Sequence, residues 1–142
     1  SDSFCVTRHR ESFINLVEEY IDILFANEEE IKSLYKTSTL NLAIEKLKKK
    51  CELAAITRGK NGSILITNGK EIVIDPFIFG EAIDTTGAGD LYAGGFLKGL
   101  SNGLEPTTCA KMGSICSGQI VTQLGSRSNT NLLNLINKHL DN

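Results

Sequence analysis

The chain has 142 residues, a length that suits one domain burying about two thirds of its unfolded surface. Fifteen basic residues against seventeen acidic ones leave a net charge of −2, which gives no global field for nucleic acid or an anionic membrane. Hydrophobic and charged fractions of 41% and 23% exclude a disordered or fibrous class, and the longest apolar stretches are broken by Asp22, Asp75 or Pro76, well below the ~18 residues of a membrane span.

In chain order, Phe13, Leu16, Val17 and Tyr20 recur at helical spacing, and Ile23-Leu24-Phe25-Ala26 reads as a short buried strand. Asn27-Glu28-Glu29-Glu30 then opens a helix with Ile31, Leu34 and Tyr35 on its apolar face. Leu40, Ala43, Ile44 and Leu47 make a second stripe, followed by Lys48-Lys49-Lys50 at the negative helix end as a solvated face. Leu53 to Thr57 is the uninterrupted, mostly apolar run of a strand buried on both sides, and Arg58 to Gly62 is a turn. Ser63–Thr67 and Lys70–Asp75 flank Asn68-Gly69, whose residues both accept the positive φ of a tight hairpin. After Pro76 a loop leads to a helix ending near Leu100. Another starts with Pro106 in its first turn and runs to Leu124, with Gly125 as its cap, and Leu132 to Leu140 supply a final amphipathic helix. The expected fold is an α/β layered sandwich with a mainly parallel sheet and one antiparallel hairpin.

The four cysteines form no C-x-x-C pair, and the apolar settings of Cys109 and Cys116 suit reduced, buried thiols in a cytoplasmic protein. His9 and His139 are too isolated for a metal cluster or a catalytic triad and are expected at the surface. Ser1 in place of Met, with no signal sequence behind it, is expected of a chain that starts inside a longer protein.

The chemistry concentrates in Asp84-Thr85-Thr86-Gly87-Ala88-Gly89-Asp90, where an irregular loop turns into an apolar helix-length segment. A helix start offers backbone N–H groups without intrahelical partners and the positive end of the dipole, so it holds an anion without a cationic side chain. Asp90 falls in the first turn, where it can act as a base. A dinucleotide fingerprint is excluded by Tyr92 at its sixth position, and neither Gly59-Lys60 nor Gly69-Lys70 has the frame of a P-loop. Gly94, Gly95 and Gly99 each cost ~1 kcal/mol relative to Ala in a helix interior, so close packing of most of them against a neighbour is expected.

This stretch, with the small residues behind it, resembles the C-terminal signature of the ribokinase/phosphofructokinase-B family of carbohydrate and nucleoside kinases. The resemblance implies a ribokinase-like fold, of which residues 1–142 would be the ATP-binding and catalytic C-terminal portion, without the N-terminal substrate-binding half and lid. It implies transfer of the ATP γ-phosphoryl group to a hydroxyl of a sugar or nucleoside, with Gly87, Ala88 and Gly89 amides on the phosphoryl oxygens and Asp90 taking the proton. Asn27 and Glu30 also fit a capping box. In the family an Asn-x-x-Glu after a strand organises Mg²⁺ and the nucleotide phosphates, and a capped helix would fix that carboxylate. Thr57, Gly59 and Gly62 read locally as a strand end and turn, and by resemblance as ATP contacts, with Thr86, Gly113 and Ser117 assigned to the nucleotide. Some members bind a monovalent cation near this loop, which makes K⁺ a candidate. Ser1 to Val6 with Arg8-His9-Arg10 look similar to bacterial adenosine-kinase-like members, so adenosine or a related ribosyl compound is the expected substrate. A non-catalytic nucleotide-binding module is the alternative. An inactive fragment with an apolar sheet edge exposed is a third reading, and a homodimer would be its sign.

Overall fold

The computed structural model describes residues 3–140. Of the amino-terminal residues that carry the adenosine-kinase-like resemblance, Ser1 and Asp2 lie outside the described residues. The contacts divide the chain into two compact units. The first runs to Arg58 and adds Ile64–Ile72, and the second is Gly59–Ser63 with the chain from Val73 onward.

The first unit contains helices α1 (Ser3–Arg8) and α2 (Arg10–Glu19), strand β1 (Ile23–Asn27), helices α3 (Glu28–Tyr35) and α4 (Leu40–Leu47), and strand β2 (Leu53–Thr57). It also holds most of the hairpin formed by β3 (Ser63–Thr67) and β4 (Lys70–Ile74). The sheet has the order β1-β2-β3-β4. β1 and β2 pair parallel, Ile23 opposite Leu53 and Asn27 opposite Thr57, across a crossover that contains α3 and α4. The sheet as a whole is mixed. Five residues join β2 to β3 and two join β3 to β4, far too few for a parallel return, so both steps are antiparallel. Asn68 and Gly69 take φ of +50° and +71°, as an Asn-Gly hairpin turn requires.

Side chains alternate across the sheet. Ala54, Ile56, Ile64 and Ile66 join Ile31, Ile44 and Leu47 in one apolar core, while Ala55 and Leu65 are buried on the opposite face. Burial on both faces is why Leu53 to Thr57 carries no polar alternation. α3 packs on β1 and β2, and α1 and α4 pack on α3. The lysines after α4 are more than a solvated face: Lys48 pairs with Glu45 and Glu71, and Lys50 with Glu18.

The second unit is helical, with α5 (Ala88–Ser101), α6 (Pro106–Ile120) and α7 (Leu132–Leu140). α5 and α6 share a long seam in which glycines remove side-chain bulk. A Cβ on Gly95 would stand 2.8 Å from the Met112 carbonyl oxygen, one on Gly99 2.9 Å from Cys109 Sγ, and one on Gly113 2.7 Å from the Tyr92 carbonyl oxygen. The helix-interior cost of these glycines is therefore met by close helix packing. Tyr92 on α5 shares a buried 2.8 Å hydrogen bond with Ser63. α6 ends at Ile120, earlier than expected, because Val121 to Ser126 turn to serve the loop before α5. His139 is half-buried rather than at the surface, set edge-on to Phe77 and Phe79 with ring centroids 6.0 and 5.2 Å away.

Candidate active site

The second unit builds the loop and helix start from the residues of the central motif. Asp84 clamps the loop: its Oδ1 accepts the Thr86 N–H at 2.9 Å and its Oδ2 accepts the Gly125 N–H at 2.9 Å, while Ile83 and Asp84 N–H groups both donate to the Val121 carbonyl. The Thr86 hydroxyl and then the Gly125 amide hold its carboxyl below the ordinary carboxylate range. Gly87 occupies the N-cap of α5 with φ +78°, and a Cβ there would meet Ser126 Cβ at 2.6 Å. Both the left-handed backbone and the Ser126 contact call for glycine.

A glycine N-cap has no side chain to satisfy the next amides. The Ala88 N–H donates to the Thr85 carbonyl at 3.1 Å, and the first regular bond of the helix is Leu91 N–H to Gly87 O. The Gly89 and Asp90 N–H groups are left without an acceptor among the described residues. These amides, more than that of Ala88, are the open donors of the site. A Cβ on Gly89 would meet nothing within 4 Å, and Asp90 stands exposed beside it. The geometry supplies two aligned donors, the positive end of a 14-residue helix and a solvent-facing carboxylate.

The first unit builds a second constellation at the carboxyl ends of its two parallel strands, the position where α/β sheets place ligands. Asn27 ends β1 and Thr57 ends β2, directly opposite it in register. Asn27 also caps α3 in a complete capping box. Its Oδ1 accepts the Glu30 N–H at 2.9 Å, and Glu30 Oε2 accepts the Asn27 N–H at 2.8 Å. Glu30 Oε1 stays without a partner among the described residues. One carboxylate oxygen fixed by the backbone and one left open fits a divalent ion that keeps most of its waters, as Mg²⁺ does. Among the described residues there is no group of three His, Cys, Asp or Glu that would make a full protein cage.

The remaining expected contacts divide by environment. Gly59, at φ +55°, is exposed with open space around it. Gly62 turns the chain against the Ile74 carbonyl, where a side chain cannot fit, so its first duty is the turn. Gly113 is committed to the α5–α6 seam, and Ser117, half-buried, donates to the Ser114 carbonyl at 3.2 Å. Ser126, which fixes Gly87, was not singled out by sequence, and Gly125, expected to cap α6, instead holds Asp84 through its amide. The distance of both residues in sequence from the motif leaves no local signal of these contacts.

With this fold and these helix starts in place, comparison with known proteins defines the family. The profile of the pfkB family carbohydrate kinases matches residues 6–132, and the chain belongs to that family. The crystal structure of adenosine kinase from Sinorhizobium meliloti superposes with a TM-score of 0.92 at 37% identity, over 97% of this chain and 42% of that one. The nucleoside kinase of Methanocaldococcus jannaschii is 29% identical over 120 residues, 84% of this chain and 39% of the relative. The structure of Arabidopsis thaliana ribokinase complexed with ribose and ATP gives a TM-score of 0.73 at 26% identity, over 85% of this chain and 42% of that one. The chain thus spans about two fifths of the length of the relatives it matches. No helix among the described residues is long and apolar enough to cross a membrane.

Proposed function

We propose that this chain is the nucleotide-phosphate and catalytic portion of an ATP-dependent kinase that phosphorylates a hydroxyl of a nucleoside or sugar, adenosine or a related ribosyl compound first among them. The observation that carries the reading is Asp90, exposed in the first turn of α5 beside the unpartnered amides of Gly89 and Asp90 itself. The substrate class is supported by the 37% identity to a solved adenosine kinase, and ATP by the ribokinase solved with ribose and ATP.

Phosphoryl transfer passes through a loose, heavily charged transition state, so positioning and electrostatic stabilisation supply most of the catalysis. The Gly87 N-cap keeps side chains away from the helix start, and the Gly89 and Asp90 amides take the phosphoryl oxygens. Asp90 accepts the proton of the attacking hydroxyl. A carboxylate suffices as the base because the alcohol becomes acidic only as its oxygen bonds to phosphorus. Glu30, held by the capping box, and Asn27 would hold Mg²⁺. The ion, when bound, neutralises charge on the phosphates. Thr57 lies beside Asn27 to contact the same phosphates.

The test is Mg²⁺-ATP turnover by the full-length protein against adenosine, other nucleosides, ribose and fructose phosphates. Phosphorylation of one of them is expected. Asp90→Ala is expected to lower kcat roughly 10²–10⁴-fold with ATP affinity near that of the parent protein. ATP binding without turnover on any acceptor would instead favour a non-catalytic nucleotide-binding module.

A further inference from the structure

Two neighbouring hollows in the first unit, of about 460 and 330 Å³, share Arg10 and Lys36 in their walls and form one groove. It lies where α1 and α2 meet the carboxyl end of α3. We propose that this groove binds a phosphate-bearing anion, held by Arg8, Arg10 and Lys36.

Charge points that way in a chain whose net charge is −2. Lys32, also in the groove wall, is neutralised by Glu29 at 2.6 Å and Glu28 at 3.5 Å. Arg8, Arg10 and Lys36 have no carboxylate within ion-pair distance among the described residues, and Glu11 is the remaining acid of the lining. Three cations thus face one acid. Arg10 is held in place because its Nε donates to the Ser33 carbonyl at 2.9 Å. That carbonyl also accepts the Lys36 N–H at 3.4 Å, and the bond leaves the other guanidinium N–H groups for a ligand. Clustered arginines with a fixed fork suit phosphate oxygens.

Lys36 supplies an independent observation. It caps α3 in the left-handed region at φ +49°, a place where glycine or asparagine avoids strain. Lysine there sets a cation against the negative end of α3 and in the walls of both hollows. Thr7, Ser12 and Thr37 add hydroxyls to the lining. Lys36 is nine residues along α3 from Asn27, about 13 Å of helix, which sets this cation apart from the candidate Mg²⁺ residues.

The experiment uses the ¹⁵N-labelled chain, with inorganic phosphate and ribose 5-phosphate titrated separately against sodium chloride at equal ionic strength. Saturable amide shifts are expected in residues 7–12 and 32–38, as a set distinct from any at the start of α5. Equal response to both ligands assigns free phosphate, and a preference of about tenfold for the ester assigns a phosphomonoester. Arg8→Ala and Lys36→Gly are each expected to weaken binding about fivefold. Lys36→Gly should also unfold at an equal or higher urea concentration, because glycine relaxes the left-handed cap, so lost binding cannot be blamed on lost structure. Shifts reproduced by sodium chloride alone, or parent-like phosphate binding by the doubly substituted chain, would overturn the proposal.

Discussion

At Gly87 backbone geometry and function meet in one residue. Its φ of +78° and the 2.6 Å approach of Ser126 to a notional Cβ leave no room for a side chain. Gly87→Ala is expected to destabilise the protein by about 2 kcal/mol, read from urea unfolding, and to weaken phosphate binding by tilting the Gly89 and Asp90 amides. A variant with unchanged stability would show that the loop relaxes freely around Ser126. Asp84 works at the same scale through charge. Its folded-state acidity is stronger than the ordinary value because the Thr86 hydroxyl and the Gly125 amide favour the carboxylate. A depressed carboxyl contributes stability above its unfolded pKa and loses it as the pH falls through the folded value. Asp84→Asn should therefore lower the urea midpoint at about pH 7 and lower it less at about pH 3, below the ordinary carboxylate value. A loss that is the same at both pH values would mean that shape, and not charge, is what Asp84 contributes.

On the scale of the element, α3 separates two roles that its sequence merges. Asn27-Glu28-Glu29-Glu30 reads locally as a helix cap and by family resemblance as a phosphate-and-metal motif, and the capping box is fully formed. Asn27→Ala removes the acceptor of the Glu30 N–H and is expected to cost about 1 kcal/mol. Glu30→Gln keeps an oxygen for the Asn27 N–H but loses the charge. Its stability should stay near that of the parent protein while the Mg²⁺ concentration for half-maximal turnover rises severalfold. Parent-like Mg²⁺ dependence in Glu30→Gln would reduce Glu30 to a cap. α5 shows a different division of labour along one helix: its first turn presents Asp90 to solvent, while Gly95 and Gly99 two turns on let α6 approach.

For the whole molecule, the relevant fact is extent. The chain spans 42% of the solved adenosine kinase and 39% of the nucleoside kinase it matches. It carries the residues proposed for phosphate, Mg²⁺ and proton. The 142-residue chain alone is expected to bind Mg²⁺-ATP weakly and to give no ADP formation above background with adenosine. Turnover by the chain alone at the rate of the full-length protein would show that its own residues complete the acceptor site.

Much of this was determined by sequence, because local physics settles it. The Asn68-Gly69 hairpin, the unbroken Leu53–Thr57 strand, the stripe of α4 and the Pro106 start of α6 follow from φ preference, burial period and the missing N–H of proline. The placement of Asp90 behind a glycine N-cap was legible for the same reason, since a helix start is a short-range event. What depended on distant residues was not. The end of α6 is drawn back because Val121 and Gly125 bond the loop at Ile83 and Asp84, some forty residues away. The packing of His139 against Phe77 and Phe79, the register that sets Asn27 opposite Thr57, and the Ser126 contact that requires Gly87 to lack a side chain were likewise decided only by tertiary structure. Sequence periodicity reports which face of an element is buried; which residue meets it across the core is fixed only when the elements pack.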